Sequence, residues 1–237
     1  MRVALSLMLL LTWVVTAAAE LSPEAFLAKA RYPNSVPTYA KLNGTVKHLR
    51  RGGTAVEKPL YFGVIILPDE ISGQIIIDNK EGYLLSQLRD QGEIKNSVVP
   101  MNGSSAGALA ACGIDPGDLT MSFLFYKFLQ ELPGDTVKML SCRVLLLQAP
   151  DNGDTVKVYV AKAEFFPVKA EFFKPGEESP YRTLEVNSFR EKNDLYYTDE
   201  MSLYGPGWRS VIKFPYDDAE LGRFDSAKPV NVIEKLR

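Results

Sequence analysis

The chain is divided into short runs of β-branched and aromatic residues, each closed by a Gly, Pro, Asn or Asp turn, and this restricts it to an antiparallel β architecture. From Tyr39 the pattern is that of strands, and residues 41–49 alternate polar with apolar or small side chains around Leu42, Gly44 and Val46. Arg51, Gly52, Gly53 and Thr54 then turn the chain, because a Gly pair supplies the positive φ that hairpins require. Residues 60–67 read as a buried strand, Pro68-Asp69-Glu70 as a turn, and 71–77 with 83–88 as the next pair. Strands follow at 142–148, 156–161, 168–173, 183–189, 195–204 and 209–214, with an Asn152-Gly153 hairpin signal between the first two. About nine to eleven strands joined by short turns favour a meander that curls on itself.

Helical signals are few. Ser22 followed by Pro23 is an N-cap with Pro at the first helical position, which predicts a helix from about Pro23 to Ala30, stopped by Pro33 and Pro37. Residues 98–113, rich in Gly, Ala, Ser and Asn, have no period and read as a loop with a little helix. Phe123, Leu124, Phe128 and Leu132 fall near helical spacing, which predicts an amphipathic helix over residues 121–132, ended by Pro133-Gly134 and lying on the sheet. Beyond Gly222 the chain is polar and is expected to form little regular structure.

The first residues set the expected compartment. Arg2 supplies a positive start, residues 3–15 are apolar apart from Ser6 and Thr12, and Ala17-Ala18-Ala19 offers small residues to a signal peptidase. The apolar run falls short of the ~20 residues of a spanning helix. The expectation is a signal peptide at 1–19, cleaved near Ala19, followed by a single domain at 20–237 that is exported to the periplasm. With 46% hydrophobic and 24% charged residues, that domain can build a core without metal or disulfide support. A net charge of −2 argues against a nucleic-acid partner. Cys112 and Cys142 allow one internal disulfide in an oxidising compartment, or two buried thiols.

The residue inventory does not favour catalysis. His48 is the only histidine, and with Lys47, Arg50 and Arg51 beside it, it reads as part of a solvated basic face. One His and two distant Cys do not make a zinc site, and there is no Gly-x-Ser-x-Gly elbow. Glu177-Glu178 and Asp217-Asp218 read as exposed charge in turns or at a strand end. Asn43-Gly44-Thr45 and Asn102-Gly103-Ser104 match the glycosylation pattern, which is common by chance. No catalytic residue, metal ligand or cofactor is assigned.

An ordered series of segments carries a family resemblance. Val156-Lys157-Val158-Tyr159-Val160, then Phe166-Pro167-Val168-Lys169-Ala170-Glu171-Phe172-Phe173, then Tyr181-Arg182-Thr183-Leu184-Glu185-Val186, resembles the LolA-like outer-membrane lipoprotein-sorting proteins. Phe189 to Tyr196 sits where that family has a hairpin, and Cys142-Arg143-Val144-Leu145-Leu146-Leu147 where it has a strand after a helix. The resemblance covers residues 119–221 and is weaker over 39–88, where only strand order matches.

The resemblance implies a mainly β (α+β) fold, in which a curved antiparallel sheet forms an incomplete barrel, closed by helices over an apolar cavity. It also implies a periplasmic carrier of lipids or lipoproteins: a monomer that holds acyl chains and is loaded and unloaded by envelope membrane proteins. An alternative is an envelope interaction or stress-sensing protein that binds a protein partner through the same fold. RseB-like relatives do so with a second domain, for which this chain is short. Candidate cavity residues from strand and helix placement are Phe62, Ile66, Phe123, Tyr126, Leu145, Leu147, Tyr159, Phe172, Tyr204 and Trp208. The carrier reading expects the cavity under the 121–132 segment; a scaffold reading expects close packing there.

Overall fold

A computed structural model describes residues 20–31, 36–90, 93–104, 107–150 and 152–236. The expected signal peptide at 1–19 lies outside the described residues. The elements run α1 (Pro23–Arg31), β1 (Thr38–Arg50), β2 (Val56–Ile66), β3 (Glu70–Ile77), β4 (Glu81–Asp90), β5 (Glu93–Pro100), α2 (Ala108–Ala111) and α3 (Pro116–Leu119). After a 3-10 turn at Ser122–Phe125 come β6 (Lys127–Val137), β7 (Leu140–Gln148), β8 (Thr155–Ala161), β9 (Pro167–Phe173), β10 (Arg182–Lys192), β11 (Leu195–Gly205), β12 (Trp208–Lys213) and β13 (Ala219–Arg223).

All thirteen strands join one sheet in the order β5-β4-β3-β2-β1-β12-β11-β10-β9-β8-β7-β6, with β13 also paired to β1. Every strand pairing among the described residues is antiparallel, and β5 and β6 occupy opposite edges, so the sheet curls without closing. Two meanders, β1 to β5 and β6 to β12, are thus joined where β1 meets β12. The segment from β5 to β6 has to travel from one edge of the sheet to the other. That segment carries α2, α3 and the 3-10 turn, which pack on the concave face with Leu109, Leu119, Phe123 and Leu124 in the core.

Side-chain alternation builds that core. Leu42 and Val46 of β1, Leu60, Phe62 and Val64 of β2, and Ile75 and Ile77 of β3 point inward. On the other half, Leu145, Leu147, Val156, Val158, Leu184, Leu203 and Ile212 do the same. A smaller cluster of Cys142, Val144, Tyr159, Ala161 and Val168 lies on the opposite face, one residue out of phase with the inward set. β1 is shared along its length: Thr45–Arg50 pairs with β12 and Thr38–Leu42 with β13. Gly44 sits at this change of partner, where a Cβ would overlap the carbonyl oxygen of Lys213.

Buried polar links fix the plug. Arg143 holds Glu131 with two charge-assisted bonds (2.6 and 2.5 Å), donates to the Leu21 carbonyl (2.7 Å) and lies over the Phe26 ring. Arg31 at the end of α1 donates to the carbonyls of Leu124 and Tyr126 (2.8 and 2.9 Å). Asp118 in α3 pairs with Arg182 at the start of β10 (2.7 Å). Burial pushes the Asp118 carboxyl up to about 6, against the pull of Arg182. Glu81, fully buried, accepts from the first backbone N–H groups of α2 and from the Tyr83 hydroxyl.

Three sequence expectations are corrected. The segment 121–132 is a 3-10 turn followed by edge strand β6, because Tyr126 is extended (φ −64°, ψ 163°) and ends the turn. Edge position also accommodates Pro133, at a register shift between Leu132 and Asp135 where no ladder N–H is required. Second, β5 occupies part of what reads as a loop; its residues 95–100 are exposed, so no buried face marked them as a strand. Third, His48 does not lie on a solvated face but is 9% exposed and bonded to Ser210. Of the two readings open for the cysteines, the structure has the second: Cys112 and Cys142 are buried free thiols in the two separate clusters. Among the described residues, the tail beyond β13 has no regular element, yet it is anchored. The Val232 carbonyl accepts from the Tyr61 hydroxyl (2.7 Å), and the Glu234 backbone exchanges two bonds with the Gln74 amide.

Candidate functional site

Where the end of α1 and the plug lean over β1, β2 and β11, the packing is incomplete and leaves a cavity of about 230 Å³. Ala40 and Leu42 of β1, Phe62, Val64 and Ile66 of β2 and Ile71 of β3 form one wall. Leu195, Tyr197 and Met201 of β11, with Phe214 and Leu221, form the other. Leu119, Met121, Leu124 and Phe125 of the plug, with Ala30 and Arg31 of α1, cover it, and Phe166 with Pro167 at the start of β9 adds to the lining. Tyr196, 72% exposed, marks the rim. Polar groups are few: Arg31, whose guanidinium is engaged by the Leu124 and Tyr126 carbonyls, Thr38, Thr120, Thr198 and the tyrosine hydroxyls. Such a site excludes water from apolar groups and has little with which to bind a charged ligand.

The sequence-derived candidates divide among three places. Phe62 and Ile66 line the cavity. Phe123, Leu145, Leu147 and Phe172 lie in the packed core, Phe123 meeting Phe172 edge-to-face at 5.6 Å, and are not on the cavity wall. Tyr126 and Trp208 are partly buried against that core. Burial pushes the Tyr126 hydroxyl up to about 12. Tyr159 and Tyr204 are on the opposite face, where their hydroxyls donate to Glu171 (2.7 Å) and Glu185 (2.5 Å). The cavity therefore sits beside the start of the 121–132 segment, against Met121, Leu124 and Phe125. Sequence reasoning missed Ala40, Val64, Ile71, Tyr197 and Phe214. The even-numbered alternation Leu60, Phe62, Val64, Ile66 is the signal that marks the β2 part of the wall.

A second buried cluster contains the histidine. The Ser210 hydroxyl donates to the Cys112 carbonyl (2.5 Å), so it accepts from His48 Nδ1–H (2.8 Å), and Nε2 accepts from Arg50 Nε (3.4 Å). This is a neutral imidazole with both nitrogens used. Ser210 is fully buried, and its proton is committed to a carbonyl, so it is not poised as a nucleophile. Burial, with Arg50, holds His48 below its ordinary value of 6.5. An unfolded chain therefore binds a proton at this site more readily than the native one. The contribution to stability is complete above pH 6.5 and is lost as pH falls through the lowered native value. Thermal melts are expected to show a steeper fall in Tm from pH 7 to pH 5 for the wild type than for His48→Gln; equal slopes would remove His48 from the account. Among the described residues, no group of three or more His, Cys, Asp or Glu could hold a metal ion.

No family model and no curated protein matches the sequence. Solved structures do match in shape. A DUF1329 family protein from Desulfovibrio piger superposes with a TM-score of 0.59 at 14% identity, over 86% of this chain and 92% of that one. An outer membrane lipoprotein-sorting protein domain from Vibrio parahaemolyticus gives 0.54 at 14% identity, over 84% and 92%. A LolA superfamily protein from Nitrosomonas europaea gives 0.55 at 14% identity, over 87% and 95%. The chain has a LolA-like fold: a mainly antiparallel incomplete barrel with few helices. Among the described residues no helix is long and apolar enough to cross a membrane.

Proposed function

We propose that this protein is a periplasmic carrier that holds acyl chains of a lipid or lipoprotein in its apolar cavity. The observation that carries the reading is the cavity itself: about 230 Å³, walled by aliphatic and aromatic side chains from both halves of the sheet and covered by the plug. A space of this kind inside a LolA-like fold gives an alkyl chain somewhere to leave water, at about 0.8 kcal/mol for each buried methylene. Binding and release need no catalytic group. The similarity to a lipoprotein-sorting domain supports the same class of cargo. In this reading the protein acts as a monomer, exported through its N-terminal signal peptide, and exchanges cargo with envelope membrane proteins.

The test is a titration with a fluorescent fatty-acid probe, on wild type and on Ala40→Phe. Ala40 is a small residue on the β1 wall, and a phenyl ring there projects into the space the chain occupies. Displacing the room of two methylenes costs about 1.6 kcal/mol of binding, a loss of about tenfold or more in affinity. Saturable one-to-one binding by wild type, weakened in Ala40→Phe, is the expected result. No saturable binding, or equal binding by both proteins, would overturn the assignment.

A further inference from the structure

The outer face of β2, β3 and β4 is shaped to hold an extended peptide. Strand pairing puts Tyr61, Ile76 and Gly82 in one row across it and Gly63, Gln74 and Leu84 in the next. These alternate with Phe62, Val64 and Ile75, which point to the concave side. Two glycines leave a trough. A Cβ on Gly63 would overlap the Val232 carbonyl oxygen, and one on Gly82 would press on Met101 Sδ and Leu236. The C-terminal tail lies in this trough. Tyr61 donates to the Val232 carbonyl (2.7 Å), and the Gln74 amide donates to the Glu234 carbonyl (2.8 Å) and accepts from the Glu234 N–H (2.7 Å). Val232 is 3% exposed, although it belongs to no strand.

Gln74 reads a backbone. Its amide meets both polar groups of one residue, as a neighbouring strand would, so main-chain bonds give the hold and the seated side chains give the selectivity. Those side chains are Val232 and Leu236, four positions apart, while Ile233, Glu234 and Lys235 between them are exposed. The hold is local. Among the described residues, three hydrogen bonds tie residues 230–236 to the sheet, and residues 225–229 leading to them are exposed throughout. A segment held in this way opens more readily than the strands beneath it. The trough also runs on past the tail. Leu84 is 40% exposed and its cross-strand neighbour Val99 on β5 is 53% exposed, an apolar continuation of the same face that the tail leaves uncovered.

We propose that this trough is a docking site for an extended segment of a partner protein, with apolar side chains four positions apart and its backbone read by Gln74, and that the tail occupies it as an exchangeable internal ligand. A partner segment seated there lies directly behind the cavity wall formed by Phe62 and Val64, and it can also cover Leu84 and Val99. The proposal stands whether or not the cavity carries an acyl chain.

The test uses the full chain with a protease recognition sequence inserted in the exposed segment 225–229, folded first and then cut there. The probe is a fluorescently labelled peptide of residues 229–237, added in excess of the cut tail. Saturable one-to-one binding by the cut protein is the expected result. Gln74→Ala is expected to weaken it about 10- to 100-fold, the worth of two net hydrogen bonds, and Val232→Asp in the peptide to weaken it as well. Uncut protein is expected to bind no peptide at the same concentrations, because the tethered tail holds the site at a high effective concentration. A cut protein that keeps its circular dichroism spectrum but does not take up the peptide would overturn the proposal. Loss of the fold on cutting would also overturn it, since the tail would then be part of the core. A concentration-dependent dimer of the intact chain that disappears in Gln74→Ala would assign the trough to the tail of a second copy, and would overturn the partner assignment.

Discussion

Arg182→Met is expected to destabilise the protein by about 3–5 kcal/mol, the cost of leaving a buried charge without its partner. Asp118 is 2% exposed, and its carboxylate bonds to the Arg182 guanidinium and to the Asp115 backbone N–H. The guanidinium also covers the Phe172 ring at 4.1 Å, which Met can partly replace. The charge effect can be isolated from packing. The double variant Arg182→Met/Asp118→Asn is expected to recover part of the loss, because Asn keeps the acceptor for Asp115 without a charge. The deficit of the single variant is also expected to shrink as pH falls towards about 6 and to level off below it, where Asp118 is protonated in wild type too. Asp118 already titrates near 6 with Arg182 beside it, and its value rises further without it, so the variant sheds its buried charge by protonation. Denaturant unfolding of the three proteins at pH 7 and pH 5 checks this. A single-variant loss under 1 kcal/mol at pH 7 would show that the pair does not hold the plug to the sheet.

Leu145→Ala is expected to cost about 3–5 kcal/mol, within the range for a fully buried leucine that leaves a cavity behind it. Leu145 has no exposed surface and belongs to the concave core, not to the ligand wall. Affinity for an acyl probe per folded molecule is therefore expected to stay within about twofold of wild type, well under the tenfold that 1.4 kcal/mol represents. A stability loss with intact binding places Leu145 in the packing. Weakened binding with little loss of stability would instead extend the cavity to β7.

These two residues also show how far the sequence led. Leu145 and Leu147 are legible as buried strand positions, but a run that is apolar at every position does not say which side faces a void. The alternation of β2 was more informative, because Gly63 between Phe62 and Val64 distinguishes the two faces, and Phe62 and Ile66 do reach the cavity. Tyr159 and Tyr204 were placed on the wrong face for a cavity role by a shift of one residue, which in a strand reverses the side chain. Strand β6 was hidden because Phe123, Leu124 and Phe128 imitate a helical spacing, while the turn that breaks it depends on the Tyr126 backbone and on the tertiary bonds from Arg31. The burial of His48 is hidden in the sequence for a related reason. Its basic neighbours suggested solvent, whereas its burial is imposed by β12 and the chain around Cys112, remote in sequence. The outer-face trough that seats the tail left no trace in the sequence at all, since the pairing of the Gln74 amide is a property of what surrounds it.

The central claim is that the cavity carries an acyl chain. Native mass spectrometry of the protein purified from its own envelope fraction, followed by lipid extraction, tests it most directly. The expected result is an acylated species bound at close to one per protein, released on extraction and depleted in Ala40→Phe. A clean unliganded mass, together with no uptake of a fluorescent fatty-acid probe, would contradict it.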